Sequence, residues 1–181
     1  MDKIVIGART SRLSQAQVQE VHWELRNHYP DLEFEIILLD THGDQDLNTS
    51  LRTLEKTDFF TREIDQLLLS GGCRVAIHSA KDLPEPLPPG LAIAALTKGV
   101  DPADALVLRE GEALDRLPPG AIIATSSHRR EEAVKRLRSD LRFIDLRGTI
   151  EQRLEKLLTK EADGVIIAEA ALIRLGLTRL N

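Results

Sequence analysis

Short apolar runs alternate with amphipathic stretches along most of the chain. Ile4-Val5-Ile6 reads as a first strand, and Ser11 is a suitable cap for a helix carrying Leu13, Ala16, Val21 and Leu25 that stops near Pro30. Phe34 to Leu39 predicts a second strand, and Asp40 to Asp58 is a polar, weakly patterned loop of functional length. Phe60, Ile64, Leu67 and Leu68 share one helical face, closed by Gly71-Gly72. Val75-Ala76-Ile77 predicts a third strand; Pro84, Pro86, Pro88 and Pro89 then force an extended connector before strand-like Leu91 to Leu96. In the second half, strands are expected at 105–108, 121–125, 141–146 and 164–168. Helices are expected at 127–138, along the stripe Ile150, Leu154, Leu157 and Leu158, and at 170–175. The alternation predicts an α/β fold with mixed, largely parallel sheets flanked by helices. Thr97-Lys98-Gly99-Val100-Asp101-Pro102 reads as a crossing, so a first α/β domain is expected over 1–98 and a second over 99–181, with a hinge at about 97–101.

Composition narrows the function classes. Apolar residues make up 42% and charged residues 29%, as in an ordinary globular protein, while aromatics at 3% leave the core to Leu, Ile, Val and Ala. A net charge of -5 argues against a general nucleic-acid binder, so any cationic site must be local. No run approaches the roughly 18 apolar residues of a membrane helix, and the start at Met1 carries no signal-peptide pattern. The single cysteine excludes an internal disulfide or a cysteine metal cage; the expected location is the cytoplasm.

Candidate chemistry collects where apolar runs stop. Four such runs give way at once to hydroxyl residues and a cation: Ala8-Arg9-Thr10-Ser11, His78-Ser79-Ala80-Lys81-Asp82, Thr125-Ser126-Ser127-His128-Arg129-Arg130 and Leu146-Arg147-Gly148-Thr149. In a β/α chain these are carboxyl ends of strands, where open sheets bind ligands and helix starts favour anions. Arginine grips a carboxylate through two parallel hydrogen bonds, and Arg9, Arg129, Arg130, Arg147 and Arg153 are all expected near one sheet edge. Any one of them alone also fits a solvated face or a salt bridge, with Glu131 and Glu132 as available partners. Thr125, Ser126 and Ser127 also fit as helix caps, and Asp82 as a turn residue before Leu83-Pro84. A lone carboxylate among cations is equally a candidate proton shuttle. Glycine-rich nucleotide loops, His-Glu-x-x-His spacing and nucleophile-elbow glycines are all missing.

Ile77-His78-Ser79-Ala80-Lys81-Asp82-Leu83-Pro84 closely resembles the signature of the porphobilinogen deaminase (hydroxymethylbilane synthase) family. The other three segments match that family's active-site segments in order and spacing, and Gln17, Asp44, Arg153 and Arg174 fall where the family carries such residues. The resemblance implies a transferase of heme and porphyrin biosynthesis that joins four porphobilinogen units head to tail, releasing ammonia, into a linear tetrapyrrole. It implies Asp82, beside Lys81, as the group that handles protons and steadies cationic pyrrole nitrogens. Arg9, Ser11, Ser79, Lys81, Asp82, Thr125, Ser126, Ser127, Arg129, Arg130, Arg147, Gly148, Arg153 and Arg174 would hold cofactor and substrate. The cofactor implied is a dipyrromethane, with no metal; the partners are porphobilinogen and the growing polypyrrole, with no nucleic acid or membrane, on a monomer.

The same resemblance implies two lobes like those of type II periplasmic binding proteins, with the site in their cleft, and a third domain not represented in these residues. The family's cofactor cysteine belongs to that third domain, so little or no turnover is expected of these 181 residues alone. Ser70-Gly71-Gly72-Cys73 imitates the cysteine's local sequence, but Cys73 precedes the strand ending near His78 and so falls about 15 Å from the site, at ~3.3 Å per residue. A structural thiol is expected there. Leu54-Glu55-Lys56-Thr57-Asp58-Phe59-Phe60 replaces the family's glycine- and lysine-rich segment, with Lys56 a partial substitute. Two other readings compete: a two-lobed module that binds an acidic metabolite without chemistry, and a regulatory effector-binding domain, which would need a DNA-binding segment.

Overall fold

The computed structural model describes residues 3–52, 54 and 57–181; Lys56 lies outside the described residues. The chain forms two compact units, Met1–Asp46 with Lys56–Lys98 and Leu47–Glu55 with Gly99–Asn181. The arginines at strand ends therefore belong to two sheets rather than one edge.

The first unit is built on a parallel sheet in the order β2-β1-β3. Its central strand β1 (Lys3–Arg9) runs in step with β2 (Glu33–Leu39) from Lys3↔Glu33 to Arg9↔Leu39, and pairs on its other side with β3 (Val75–Ala76). The connecting helix α1 (Arg12–Arg26) starts where expected, because the Ser11 hydroxyl accepts from the Ser14 N–H at 3.2 Å and satisfies an otherwise orphaned donor. Val18 of α1 packs on Ile6 and Ala8 of β1, with Phe34 and Ile77 at the rim of the cluster. Helix α3 (Arg62–Leu69) buries Ile64.

Two expectations fail in this unit. The loop after β2 contains a short helix, α2 (His42–Gln45), held by reciprocal bonds between Thr41 and Asp44 that a hydrophobicity pattern does not register. Leu91 to Leu96 is not a strand. Its side chains suit one, but no strand pairs with it among the described residues, and Ile93 and Leu96 are exposed.

The second unit has the sheet order β4-β7-β5-β6, with β4 (Asp104–Leu108) antiparallel to β7 (Gly164–Ala168), and β5 (Ile122–Ala124) parallel to both β7 and β6 (Arg142–Ile144). Leu108, Leu117, Ile123, Val134, Leu141 and Ile166 form its core. The helices are α4 (His128–Leu137), α5 (Ile150–Leu158) and α6 (Glu169–Arg174). Leu158, expected on the buried stripe of α5, sits in the last helical position and is 82% exposed.

The segment Leu47–Glu55, expected within residues 1–98, belongs to this unit. Arg52 is the reason: its guanidinium donates to the Thr125 carbonyl at 2.8 Å and pairs with Glu131 at 2.8 Å and Asp145 at 2.6 Å. Among the described residues no helix is long and apolar enough to cross a membrane, and no cluster of three His, Cys, Asp or Glu could hold a metal ion.

Candidate functional site

In the first unit the site is organised by Arg9, the last residue of β1. Its Nε donates to Asp44 Oδ2 at 3.1 Å, its Nη2 bonds the other Asp44 oxygen, and its Nη1 lies 3.8 Å from Asp82 Oδ2. The guanidinium sits 4.6 Å from the centre of the Phe60 ring, a cation–π contact that limits its freedom. Asp44 is fixed in turn by the backbone N–H of Thr41 at 3.0 Å and its hydroxyl at 2.8 Å. Burial pushes the Asp44 carboxyl up, but hydrogen bonds from Arg9 and Thr41 and the charge of Arg9 outweigh it and hold the group below its ordinary value. Asp44 is therefore an ionised anchor that orients Arg9.

Asp82 closes a one-turn 3-10 helix, Ala80–Asp82, which begins directly after Ser79 and contains Lys81. The Asp82 N–H donates to the Ser79 carbonyl at 2.9 Å, and the Gln17 amide donates to the Ser79 hydroxyl at 2.9 Å. Helix α1 thus holds the turn that presents Lys81 and Asp82. Ser11 is committed to capping α1.

The second unit places its hydroxyl residues at the ends of β5 and β6. Thr125 is buried, and the Ser127 N–H donates to its hydroxyl at 3.2 Å. Ser127 occupies the N-cap position of α4. The Ser126 hydroxyl accepts from the Leu146 N–H at 2.8 Å and donates to the Leu146 carbonyl at 2.9 Å, stitching the two strand ends together. Arg147 and Gly148 follow this stitch and line an open depression of about 380 Å³. Gly148 adopts φ +92°, a conformation that favours glycine, and its carbonyl accepts from Arg153 Nε at 2.8 Å. Thr149 caps α5 through a reciprocal pair with Gln152. Arg174 ends α6.

Glu131 and Glu132, the acidic neighbours available to Arg129 and Arg130 in sequence, are not the partners these arginines take. Glu131 faces Arg52 and Lys135 instead, one turn along the helix, and Glu132 pairs with Lys135. Both arginines converge on Asp104, the first residue of β4: Arg130 Nε and Nη2 lie 2.9 and 2.6 Å from Oδ1, and Arg129 Nη2 lies 2.6 Å from Oδ2. Burial raises Asp104, and the two arginines more than reverse it, leaving the carboxyl below its ordinary value. Two cations on one carboxylate retain a net positive charge, and Arg129 is 74% exposed and able to meet an anion.

Sequence reasoning missed Asp104 and Arg52. An acid at the head of the apolar run Asp104-Ala105-Leu106-Val107-Leu108 was the one signal for the former; Arg52 lies in an unpatterned loop and gave none. Cys73 is buried, with its sulfur 3.0 Å from where a side chain on Gly7 would begin, and burial pushes its thiol up; it suits packing rather than nucleophilic attack.

Comparison with known proteins adds family evidence to this geometry. A family model described as "Porphobilinogen deaminase, dipyromethane cofactor binding domain" matches residues 4–180. The chain is 44% identical over 177 residues to the porphobilinogen deaminase of Natranaerobius thermophilus, covering 97% of this chain and 57% of that protein. It is 41% identical over 177 residues to that of Chromobacterium violaceum, covering 98% and 57%. The chain therefore spans a little over half the length of these curated relatives. Among solved structures, the methionine-binding protein MetQ superposes with a TM-score of 0.50 at 16% identity, over 97% of this chain and 74% of that one, a likeness of fold of the type II periplasmic-binding-protein kind.

Proposed function

The chain belongs to the porphobilinogen deaminase family, and from that premise we propose that it carries the substrate- and cofactor-holding portion of an enzyme that condenses porphobilinogen into a linear tetrapyrrole in heme biosynthesis. The observation that carries this reading is the coupling of Asp82 to Arg9 at the carboxyl end of β1, on a turn whose residues Ser79 to Asp82 stand in the family's signature order. Each porphobilinogen unit brings two carboxylates and one basic aminomethyl group. The donors of each unit suit such molecules: on the first, the Arg9 guanidinium, the Ser79 hydroxyl and the Asp82 carboxylate for pyrrole N–H groups; on the second, the guanidinium groups of Arg129, Arg130, Arg147, Arg153 and Arg174 and the Ser127 hydroxyl.

A dipyrromethane fits the same donors, being made of the same acid-bearing rings, and when bound it supplies the nucleophilic pyrrole carbon from which the product grows. Asp82 holds the pyrrole nitrogens and transfers the proton that the departing amine needs and the coupled ring must lose. Lys81 beside it serves the acidic side chains of the substrate. Arg9, anchored by Asp44, keeps Asp82 oriented. Cys73 has no part in cofactor attachment. The protein acts in the cytoplasm as a monomer.

The test is Asp82→Asn in the longer enzyme that carries this segment. Loss of proton transfer lowers kcat about 10²- to 10⁴-fold, while porphobilinogen still binds. An unchanged kcat removes Asp82 from the chemistry. The 181-residue chain incubated with porphobilinogen is expected to release little or no linear tetrapyrrole, and robust release would contradict the need for further residues.

A further inference from the structure

Arg52 lies in sequence between the two segments that build the first unit, yet it folds with the second, and the reaction just described gives it no task. Each of its three guanidinium nitrogens goes to a different element. Nη2 donates to the carbonyl of Thr125, the first residue past β5, at 2.8 Å. Nη1 lies 2.8 Å from Glu131 Oε2 in the first turn of α4, and Nε lies 2.6 Å from Oδ1 of Asp145, the first residue past β6. The last two are close ion pairs rather than aligned hydrogen bonds, and both Nε and Oε2 are sealed from solvent. The side chains of Arg52 and Glu131 are 23% and 11% exposed, so water screens their pairing only weakly.

A simple anchor for a loop needs one partner, anywhere on the surface. The three partners of Arg52 instead stand beside the groups assigned to carboxylates. Thr125 precedes Ser126 and Ser127, and its N–H donates to the Ile144 carbonyl at 2.9 Å. Glu131 follows Arg129 and Arg130, and its N–H donates to the Ser127 carbonyl at 3.0 Å. Asp145 stands two residues before Arg147. A planar guanidinium presents three nitrogens to three acceptors at once, which the single ammonium of lysine does not.

We infer that Arg52 is a positioning residue for the anion-binding edge of the second unit: it holds the ends of β5 and β6 and the start of α4 at fixed spacing, and so sets where Ser127, Arg129 and Arg147 stand. The inference rests on the carboxylate-holding role given to those residues above. Glu131 and Asp145 meet the charge of Arg52, so it acts through the geometry of its partners and not as one more cation for the ligand. Its removal weakens the hold on an acidic substrate and leaves the proton transfer assigned to Asp82 in place.

Two measurements decide the matter. In the 181-residue chain, Arg52→Ala should accelerate native-state hydrogen exchange at the Ser127 and Leu146 amides about tenfold, the low end for losing a bond from a charged donor, and leave the β4–β7 ladder unchanged. Should the alanine variant fail to fold, Arg52→Lys carries the same comparison, because it keeps the charge and loses the three-way reach. In the longer enzyme that carries this segment, the same variant should raise KM for porphobilinogen about tenfold, with kcat within about twofold of the parent. Exchange unaltered at Ser127 and Leu146, exchange accelerated equally in the ladder, or a fall in kcat at unchanged KM overturns the assignment. The exchange pattern is read without ligand, so it stands whatever becomes of the porphobilinogen reading. A parent enzyme that never turns over porphobilinogen refutes that reading; a parent that does, beside a variant of equal KM, refutes this one.

Discussion

Replacing Asp104 with asparagine removes one negative charge from beneath two arginines while keeping the side chain's shape. Asp104 is 19% exposed and Arg130 13%, so this arm is only weakly screened; Arg129, at 74%, contributes a few tenths of a kcal/mol at most, about the value of any exposed pair. Charge-assisted bonds of the Arg130 kind are worth about 1.5–3 kcal/mol each against about 0.5–1.5 for neutral ones; both reach Oδ1, so the asparagine carbonyl can still accept them, but without the charge. A net loss of about 2 kcal/mol follows, localised at the β4–β7 ladder that Asp104 opens opposite Ala168. Native-state hydrogen exchange at the amides of that ladder reads this directly. A loss of about 2 kcal/mol accelerates exchange about 30-fold, provided these amides open with the second unit as a whole.

The pH dependence supplies the sharper check. The folded carboxyl titrates below its ordinary 3.8, so its contribution is complete above that value and lost as pH falls through the lower folded one. The difference between the two proteins should hold from pH 8 to pH 5 and close in stronger acid. Equal exchange in both proteins at pH 7, or a difference that persists undiminished at pH 2, would refute the reasoning.

Two further outcomes follow from backbone and burial. Gly148→Ala places a methyl group 2.5 Å from Gln152 Oε1 at φ +92°, straining the backbone and breaking the α5 cap; urea unfolding should show a loss of about 2–3 kcal/mol, and a loss below about 0.5 would show that the turn relaxes freely. Cys73 should react with a disulfide reagent far more slowly than free cysteine until urea unfolds the chain, and rapid labelling of the native protein would contradict its burial.

The parts of this architecture that were legible from sequence are those whose determinants lie close together in the chain. Ser11 ahead of an apolar-periodic stretch announced α1, and Thr149 with Gln152 three residues on spells out a capping box in local sequence alone. The strand-to-hydroxyl transitions at Arg9, Ser79, Thr125 and Arg147 likewise needed only neighbours. What escaped detection depends on partners far along the chain. Leu91 to Leu96 has the residues of a strand but lacks the ladder that would make it one, and ladder formation is a tertiary event. Glu131 and Glu132 sit beside Arg129 and Arg130 in sequence, yet the arginines choose Asp104, 25 and 26 residues away, because α4 turns them towards the head of β4. Arg52 reaches 73 residues to the Thr125 carbonyl, and nothing local distinguishes it from any solvated arginine.

The stitch made by Ser126 has a mechanical consequence. One hydroxyl clasps both the N–H and the carbonyl of Leu146, so the turn leading to Arg129 and the turn leading to Arg147 share a single rivet. An anion that draws one of these turns towards it must drag the other along. This end of the second unit thus responds as a plate that shifts in one piece, not as arms that reach out separately.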